Sequence, residues 1–409
     1  MRATTVLRTV SRLIDQHTIV RDFAVDTDRN SIVLMVEPAT LIPFCSSCGC
    51  RVEKVYDARE RTWRHTDLGE MKVLLKYRIR RVDCARCGPT TEMAPWAPHC
   101  SWFTYDFEEL VAYHAQTTDR TRVALEMRTS WETVGDIVAR VMDRLRPGDH
   151  LDGLRRIGID ELSYRKHHEY ITVVVDHDTQ RVVWAAPGKS ADTLRLFFDA
   201  LGPERASQLE LVSIDMSAAF IKAVEECAPK ATIVFDRFHV QRLAHDALDE
   251  VRRELTRAIR GTPEAEALKG TRFTLHKAEW NMTQADNEKM AIVMKTNEPL
   301  YRAHMLKATL VHILDGNSAP QARRALINWS AWAQRSRLAP FVRVGKTMLK
   351  YIDGIVSYVR TGLTNARTEG MNGKIRVLTR RAFGFHNAGN LIAFIFLCCS
   401  GLTIARRHE

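Results

Sequence analysis

Short apolar runs separated by polar turns fill residues 153–240, and their order predicts a sheet with helices packed on it. The strand-like runs are rich in Val, Ile, Thr and Tyr, whereas the helix-like runs repeat apolar positions at helical spacing. The predicted strands cover residues 155–160, 169–176, 181–186, 209–215 and 231–235, and the predicted helices cover residues 191–201 and 218–227. Two of these strands end in an aspartate, Asp160 and Asp215.

The order strand, strand, strand, helix, strand, helix, strand is that of an RNase-H-like mixed α/β sheet, in which the first and fourth strands are neighbours. From residue 241 to residue 354 only helical patterns occur. They cover residues 240–260, 284–295, 298–314, 319–334 and 339–359. We therefore predict an α/β catalytic domain over residues 153–240 and 355–409, with an all-helical insertion over residues 241–354. The apolar run 391–399 predicts a buried helix that is too short to span a bilayer.

The N-terminal module, residues 1–95, combines a strand pattern over residues 71–80 with two cysteine pairs. Each pair has two residues between its sulfurs and a glycine after it. The four cysteines are Cys45, Cys48, Cys84 and Cys87. This spacing predicts a zinc ribbon in which four thiolates hold a structural Zn²⁺ and leave no position open for water. A reduced thiol cluster or a redox pair is the alternative, and Cys50 is interpreted as a bystander.

Residues 103–146 show two short helical patterns followed by a longer one, which is typical of a helix-turn-helix DNA-binding segment. Ser130 is a good N-cap for the third helix. Trp131 is a candidate for contact with the major groove, and Arg140 and Arg144 are candidates for contact with DNA phosphates. The alternative is a plain helical linker that packs on the core.

Charge and cysteine usage narrow the class of protein. The 409 residues carry a formal net charge of +11, which favours a polyanionic partner such as nucleic acid, with simple solubility charge as the alternative. The nine cysteines are an odd number and do not suggest a disulfide framework. The first residues lack the pattern of a signal peptide. We expect a cytoplasmic protein with no membrane partner.

Asp160 and Asp215 are the candidate metal ligands of the predicted sheet. On neighbouring parallel strands their carboxylates would lie close together and repel each other unless a cation is present. Mg²⁺ prefers oxygen ligands, and two such ions would activate an attacking oxygen and stabilise a leaving one. The sequence therefore predicts a metal-dependent phosphoryl-transfer site that acts on DNA. Asp236 ends the next strand and competes with Asp215, but a structural or supporting role is favoured for Asp236 and His239.

A third acid, Glu369, lies on a predicted helix near the C-terminal end of the chain. The residues that share its helical face are Asn365, Glu369, Asn372 and Arg376. Gly370 and Gly373 disfavour a helix, and glycines at these positions favour a close approach of either protein backbone or DNA. The basic residues that would bind phosphates are Lys374, Arg376, Arg380 and Arg381. The alternative is an ordinary amphipathic helix with a solvated basic face.

Four motifs make the comparison with a known family specific. They are Ile159-Asp160-Glu161, Ser213-Ile214-Asp215-Met216-Ser217, Asp236-Arg237-Phe238-His239-Val240 and Thr364-Asn365 with Glu369-Gly370-Met371-Asn372. Together they resemble the ISL3-type branch of bacterial insertion-sequence transposases, within the Asp-Asp-Glu superfamily. The zinc ribbon and the helix-turn-helix match that branch too, so the resemblance covers nearly the whole chain.

The resemblance implies that Asp160, Asp215 and Glu369 bind catalytic Mg²⁺. It also implies binding to the terminal inverted repeats of double-stranded DNA, strand cleavage by water and strand transfer by a 3′-hydroxyl. Pairing of two element ends indicates at least a homodimer, and the bacterial nucleoid is the expected location.

Two other functions stay open. One is a non-catalytic DNA-binding regulator, against which the three acids and the basic helix count. The other is a structure-specific nuclease, against which the two N-terminal DNA-binding modules count.

Overall fold

The computed structural model describes residues 11, 14, 16–146, 148–165, 169–262, 268–316, 318–363, 366–382 and 384–404. The chain divides into two compact units. The first comprises residues 1–146 with residues 402–409, and the second comprises residues 147–401. Each unit contains one five-stranded sheet.

The sheet of the first unit is mixed. Its strands are β1 (Thr18–Asp26), β2 (Ser31–Pro38), β3 (Lys54–Leu68), β4 (Met71–Cys84) and β5 (Gly88–Thr91). Their order is β1-β2-β4-β3, with β5 also paired to β4, and only β2 and β4 run parallel. The predicted alternation in β4 is confirmed, because Val73, Leu75 and Ile79 are buried while Arg78 is exposed. These side chains form the core of the unit with Trp63 from β3.

Three helices follow in the first unit: α1 (Tyr105–Thr117), α2 (Arg120–Glu126) and α3 (Trp131–Leu145). The predicted N-cap Ser130 is confirmed, since its Oγ accepts a hydrogen bond from Thr133 N at 3.2 Å. The buried face of α3 includes Val134, Ile137, Val138 and Val141. The chain returns to this unit near its end, where Gln116 Nε2 donates to Leu402 O at 3.0 Å.

The sheet of the second unit contains β6 (Arg156–Arg165), β7 (Glu169–Asp176), β8 (Arg181–Pro187), β9 (Leu211–Ile214) and β10 (Thr232–Phe235). Its order is β10-β9-β6-β7-β8. The first and fourth strands, β6 and β9, are therefore neighbours, as the sequence predicts. Strand β6 is parallel to β9 and β9 is parallel to β10, whereas β7 and β8 form the predicted antiparallel hairpin beside β6.

Helices make up the rest of the second unit. They are α4 (Ala191–Leu201), α5 (Pro203–Ala206), α6 (Ala218–Cys227), α7 (Arg237–Ala258), α8 (Thr271–His276), α9 (Gln284–Thr296), α10 (Glu298–Asp315), α11 (Ala319–Arg335), α12 (Ala339–Lys350), α13 (Ile352–Thr361), α14 (Ala366–Arg381) and α15 (Ala388–Cys399), with a 3₁₀ turn at Glu279–Asn281. Within the described part of residues 241–354 there is no strand. The single helix predicted over residues 339–359 is wrong, because the chain leaves helical geometry at Tyr351, whose ring packs on Phe235.

One apolar core joins the sheet of the second unit to the helices that follow β10. It includes Ile157 and Val212 from the sheet and Leu306 and Trp329 from helices α10 and α11. Trp329 also donates its indole N–H to Leu306 O at 2.9 Å. Since the insertion shares this core, it folds as part of the same unit. Among the described residues, no helix has both the length and the apolar character needed to cross a membrane.

Candidate active site

Three aspartates stand at one level across three neighbouring strands. The parallel register pairs Gly158 of β6 with Ser213 of β9, so Asp160 and Asp215, each two residues further on, lie side by side. On the other side of β9, Phe235 pairs with Ile214, so Asp236 lies beside Asp215. The sheet therefore presents a row of carboxylates along one edge of its parallel part.

The sequence placed Asp160 at the end of its strand, and that prediction is wrong. Strand β6 continues to Arg165 because β7 pairs with it along its full length, whereas the parallel pairing with β9 covers only residues 156–158. Asp160 thus lies in mid-strand, at the point where the parallel neighbour ends. Asp215 follows β9 directly, and its Oδ1 accepts a hydrogen bond from Ser217 N at 2.9 Å.

Helix α14 carries the third acid. Its inner side is buried through Thr368, Met371, Asn372, Ile375 and Leu378. Glu369 is exposed beside this buried side. Asn372 Nδ2 donates to Asp160 Oδ2 at 2.5 Å, which ties the helix to β6. Asn372 Oδ1 is buried, and none of the described residues hydrogen-bonds to it.

The acids influence one another electrostatically. Burial raises the pKa of Asp160, and the charge of Asp215 raises it further, whereas the Glu161 N–H, His239 and Asn372 oppose the shift. Burial likewise raises the pKa of Glu369, with further contributions from Asp236 and Asp160 and opposition from His239. His239 therefore lies within electrostatic reach of both Asp160 and Glu369. Burial is the largest cause of both shifts, and a bound cation would stabilise the charged forms that burial and the neighbouring acids disfavour.

Glu161 also belongs to this charged neighbourhood. Burial raises the pKa of Glu161, Lys189 lowers it, and Asp215 and Asp160 raise it. The alternation of side chains along β6 predicts that Glu161 points to the opposite face of the sheet from Asp160. Because Glu161 interacts electrostatically with Asp215, it adds to the negative charge that Asp160, Asp215 and Glu369 place at this edge of the sheet.

The two candidate metal centres differ in how closely their ligand atoms lie. Within the described residues, only the four cysteines form a group of three or more His, Cys, Asp or Glu side chains whose ligand atoms lie within 4.8 Å of one another. The described carboxylates of the second unit share an edge of the sheet and influence one another electrostatically, but no three of them have ligand oxygens that all lie within this distance. Full convergence on a metal would therefore require side-chain movement.

The cysteine cluster has the geometry of a zinc ribbon. It is formed by Cys45, Cys48, Cys84 and Cys87. The Sγ atoms of Cys48 and Cys84 lie 3.6 Å apart, close to the roughly 3.8 Å that two thiolates bound tetrahedrally at about 2.3 Å would show. Gly49 and Gly88 follow the two pairs with φ of +72°. This left-handed conformation suits glycine and lets the chain turn back around the cluster.

The candidate DNA contacts on α3 differ in exposure and in partners. Trp131 is 41% exposed, with the Arg120 guanidinium 4.8 Å from its ring centroid. Arg140 Nε donates to Glu108 Oε1 at 2.8 Å, and Arg144 Nη1 donates to Glu108 Oε2 at 3.1 Å. Glu108 lies on α1 and is fully buried, so these hydrogen bonds hold both guanidinium groups of α3 against α1.

The model of the ISL3 transposase family, described as "Transposase", matches residues 157–395. The chain belongs to the ISL3 family of transposases. A second family model, described as the zinc-finger of transposase IS204/IS1001/IS1096/IS1165, matches residues 43–87, the segment that holds all four clustered cysteines. The resemblance stated from the motifs is therefore confirmed.

Two curated relatives illustrate this membership of the ISL3 family. The transposase for insertion sequence element IS1557 of Mycobacterium tuberculosis is 39% identical over 428 aligned positions, which cover 97% of this chain and 96% of the relative. The transposase for insertion sequence element IS1001 of Bordetella parapertussis is 28% identical over 361 positions, which cover 87% of this chain and 89% of the relative.

The other predicted site residues of this ISL3 chain have varied surroundings. Lys374, Arg376 and Arg380 are exposed on α14, and Arg381 is half-buried. Asn365 lies outside the described residues. Two residues near the acids, Gly158 and Thr368, were not predicted from the sequence as part of the site. The Thr368 side chain packs directly against Gly158. A glycine inside a strand is a recognised sign of close approach, and Gly158 between two isoleucines offered that signal.

Proposed function

We propose that this chain is a DNA transposase that cleaves element ends and transfers strands in a Mg²⁺-dependent reaction. The observation that carries the proposal is the row of carboxylates at the parallel edge of the sheet, to which α14 adds Glu369. The strand order β10-β9-β6-β7-β8 supports an RNase-H-like assignment for this domain, because it places the first strand between the hairpin and the two later parallel strands. Family membership supports the same conclusion.

Asp160, Asp215 and Glu369 would hold Mg²⁺, with Asp236 as a further candidate beside Asp215. The donor chemistry fits, since carboxylate oxygens are what Mg²⁺ takes. The raised pKa values of Asp160 and Glu369 fit as well, because burial and neighbouring acids disfavour their charged forms without a cation. When bound, two ions would supply activation of the attacking oxygen and stabilisation of the leaving one.

The residues around the acids would orient these groups. Asn372 holds Oδ2 of Asp160, which leaves Oδ1 bonded to the Glu161 N–H and fixes the plane of the carboxylate. The charge of His239 lowers the pKa of both Asp160 and Glu369, so His239 would offset part of the repulsion between these two acids. Supporting partners of this kind typically contribute 10–100-fold in metal affinity or activity. We expect Asp236, His239 and Asn372 to support the centre, with Asp236 also the alternative to Asp215 as the second ligand.

Helix α14 would also bind DNA phosphates through its exposed side. Lys374, Arg376 and Arg380 are exposed there. A Cβ built at Gly370 or Gly373 would meet nothing within 4 Å, so the helix is bare at these positions. A bare stretch bordered by cations allows a DNA backbone to approach closely, and the cations would make the binding salt-dependent.

The N-terminal unit would recognise the terminal inverted repeats of double-stranded DNA. The zinc ribbon gives that unit a rigid, metal-held end, and α2 followed by α3 would act as a helix-turn-helix. Trp131 is accessible at the start of α3, whereas Arg140 and Arg144 would have to exchange Glu108 for phosphate. A homodimer would pair the two ends of an element.

The experiment uses duplexes that carry the termini of the element encoding the chain, a supercoiled target plasmid and Mg²⁺. Asp160→Asn, Asp215→Asn and Glu369→Gln are each expected to abolish cleavage while retaining the gel shift of the duplex, because each removes a ligand charge and little else. Asp178→Asn, a change in the turn after β7, is the matched control and is expected to cleave normally. Strand-transfer products identify a transposase, cleavage alone identifies a nuclease, and a shift without cleavage identifies a regulator.

Asp236→Asn separates the two candidates for the second ligand. Full cleavage by Asp215→Asn together with loss in Asp236→Asn would move that role to Asp236. Full cleavage by Glu369→Gln would remove α14 from the chemistry.

A further inference from the structure

A buried polar layer lies directly beneath the aspartates of β6 and β9. Gly158 and Ser213 are register partners, and each precedes its aspartate by two residues, so each lies on the same face of the sheet as that aspartate. The layer consists of Gly158, His177, Ser213 and Thr368. His177 is 1% exposed, and Ser213 and Thr368 are fully buried.

Contacts within this layer leave no room for a side chain at Gly158. A Cβ there would lie 2.4 Å from Thr368 Oγ1 and 2.8 Å from His177 Nε2. His177 Nε2 lies 2.6 Å from Ser213 Oγ, and His177 N donates to Arg156 O at 2.9 Å. The turn after β7, strand β9 and helix α14 are therefore all fixed against one short stretch of β6.

Helix α14 meets β6 at two points on either side of Glu369. Thr368, the residue before Glu369, rests on Gly158, and Asn372, about one turn later, binds Asp160. Two fixed points on one helix define both its position along β6 and its rotation about its own axis. The backbone position from which the Glu369 side chain extends follows from these two points.

We propose that the buried polar layer is a positioning device that sets Glu369 at its working distance from Asp160 and Asp215. This inference rests on the proposed function, since it depends on Glu369 sharing a metal site with the two aspartates. Gly158 is the essential member, because only a residue without a side chain lets Thr368 come this close. Thr368, His177 and Ser213 are positioning residues that touch neither substrate nor metal.

The size of the effect follows from the clash at Gly158. The distance of 2.4 Å is 1.0 Å shorter than the 3.4 Å at which ordinary contact begins. An added methyl group would therefore push Thr368, and Glu369 with it, outward by roughly 1 Å. A misplacement of about 1 Å in a catalytic group can lower the rate about 100-fold.

The test is Gly158→Ala in the full-length chain. We expect kcat for cleavage of the terminus-bearing duplex to fall about 100-fold, while the Kd for the same duplex stays unchanged. The Kd for Mn²⁺, measured by electron paramagnetic resonance without DNA, is expected to rise about tenfold, as for loss of other groups that orient metal ligands. Adding Thr368→Ala to Gly158→Ala removes the atom at 2.4 Å but leaves His177 Nε2 at 2.8 Å, so it is expected to recover part of kcat.

Gly345→Ala is the matched control. A Cβ at Gly345 would lie 3.0 Å from Ser330 O and 3.2 Å from Ala333 Cβ, so this helix–helix contact in the insertion is also tight. We expect it to lower the unfolding temperature but to leave kcat and the Mn²⁺ affinity unchanged. Wild-type kcat and Mn²⁺ affinity in Gly158→Ala would overturn the inference, and so would an equal loss of kcat in Gly345→Ala. If the wild-type chain binds Mn²⁺ but cleaves no DNA, the proposed function fails, and the Mn²⁺ affinities alone decide the positioning role.

Discussion

Glu108 is expected to stabilise the three-helix segment through two arginines. Its carboxylate is fully buried and accepts hydrogen bonds from Ser101 Oγ at 2.7 Å, Arg140 Nε at 2.8 Å and Arg144 Nη1 at 3.1 Å. The change Glu108→Gln keeps the shape of the side chain but removes its charge. Arg140 and Arg144 then lose the charge of Glu108, although Arg144 still contacts Glu109 at 3.4 Å, and the amide of the new side chain adds a donor that faces donors.

The magnitude follows from burial. Breaking a buried ion pair by removing one partner costs about 3–5 kcal/mol. The side chains of Arg140 and Arg144 remain 34% and 25% exposed, so water compensates part of the loss. We therefore expect a destabilisation of about 2–3 kcal/mol, below the fully buried range.

Hydrogen exchange of the full-length chain, followed by mass spectrometry, measures this effect locally in α1 and α3. A loss of about 2–3 kcal/mol corresponds to exchange roughly 30–150-fold faster. The control is Glu109→Gln in the same helix, since the contact of Glu109 with Arg144 is longer, at 3.4 Å. Exchange in α3 that is equally fast in the Glu108→Gln and Glu109→Gln variants would refute the reasoning.

Two further predictions concern the zinc ribbon and the insertion. We expect metal analysis to find bound zinc in the wild-type chain and in Cys50→Ser, but not in Cys84→Ser, which lacks one of the four clustered thiols. Loss of zinc in both variants would contradict the ligand assignment. In the insertion, burial together with the charge of Lys307 lowers the pKa of His245 and of His304 to about 4. Because their folded-state pKa values lie below the unfolded value of about 6.5, protons bind the unfolded chain preferentially, so stability is complete above pH 6.5 and falls toward pH 4. Thermal unfolding between pH 7 and pH 4 checks this, and His304→Gln should make the decline shallower; an identical slope would contradict it.

Local signals explain why three helices of the insertion, α9, α10 and α11, could be predicted closely. Helix α9 begins after Thr283 and helix α11 after Ser318, and both residues make capping boxes with the third residue of their helix. Helix α10 begins after the N-cap Asn297. These polar residues precede each helical pattern in the sequence, so the pattern and its boundary agree.

The partners of charged residues could not be predicted in the same way. Arg140 and Arg144 look available for phosphates in the sequence, because nothing nearby along the chain shows that Glu108 is buried against them. The extent of β6 beyond Asp160 likewise depends on its pairing with β7, which is a property of the sheet. Sequence patterns report which side chains are present, whereas tertiary contacts decide which of them are already occupied.

The order of elements along the chain has a consequence for its synthesis. A ribosome makes Asp160 and Asp215 early, then translates the whole insertion before it reaches Glu369. A product terminated within residues 241–354 would therefore retain residues 1–146 but never acquire the third carboxylate. If residues 1–146 recognise the element ends, such a shortened product would occupy those ends without cutting them, and it would act as a competitive inhibitor of the full-length protein.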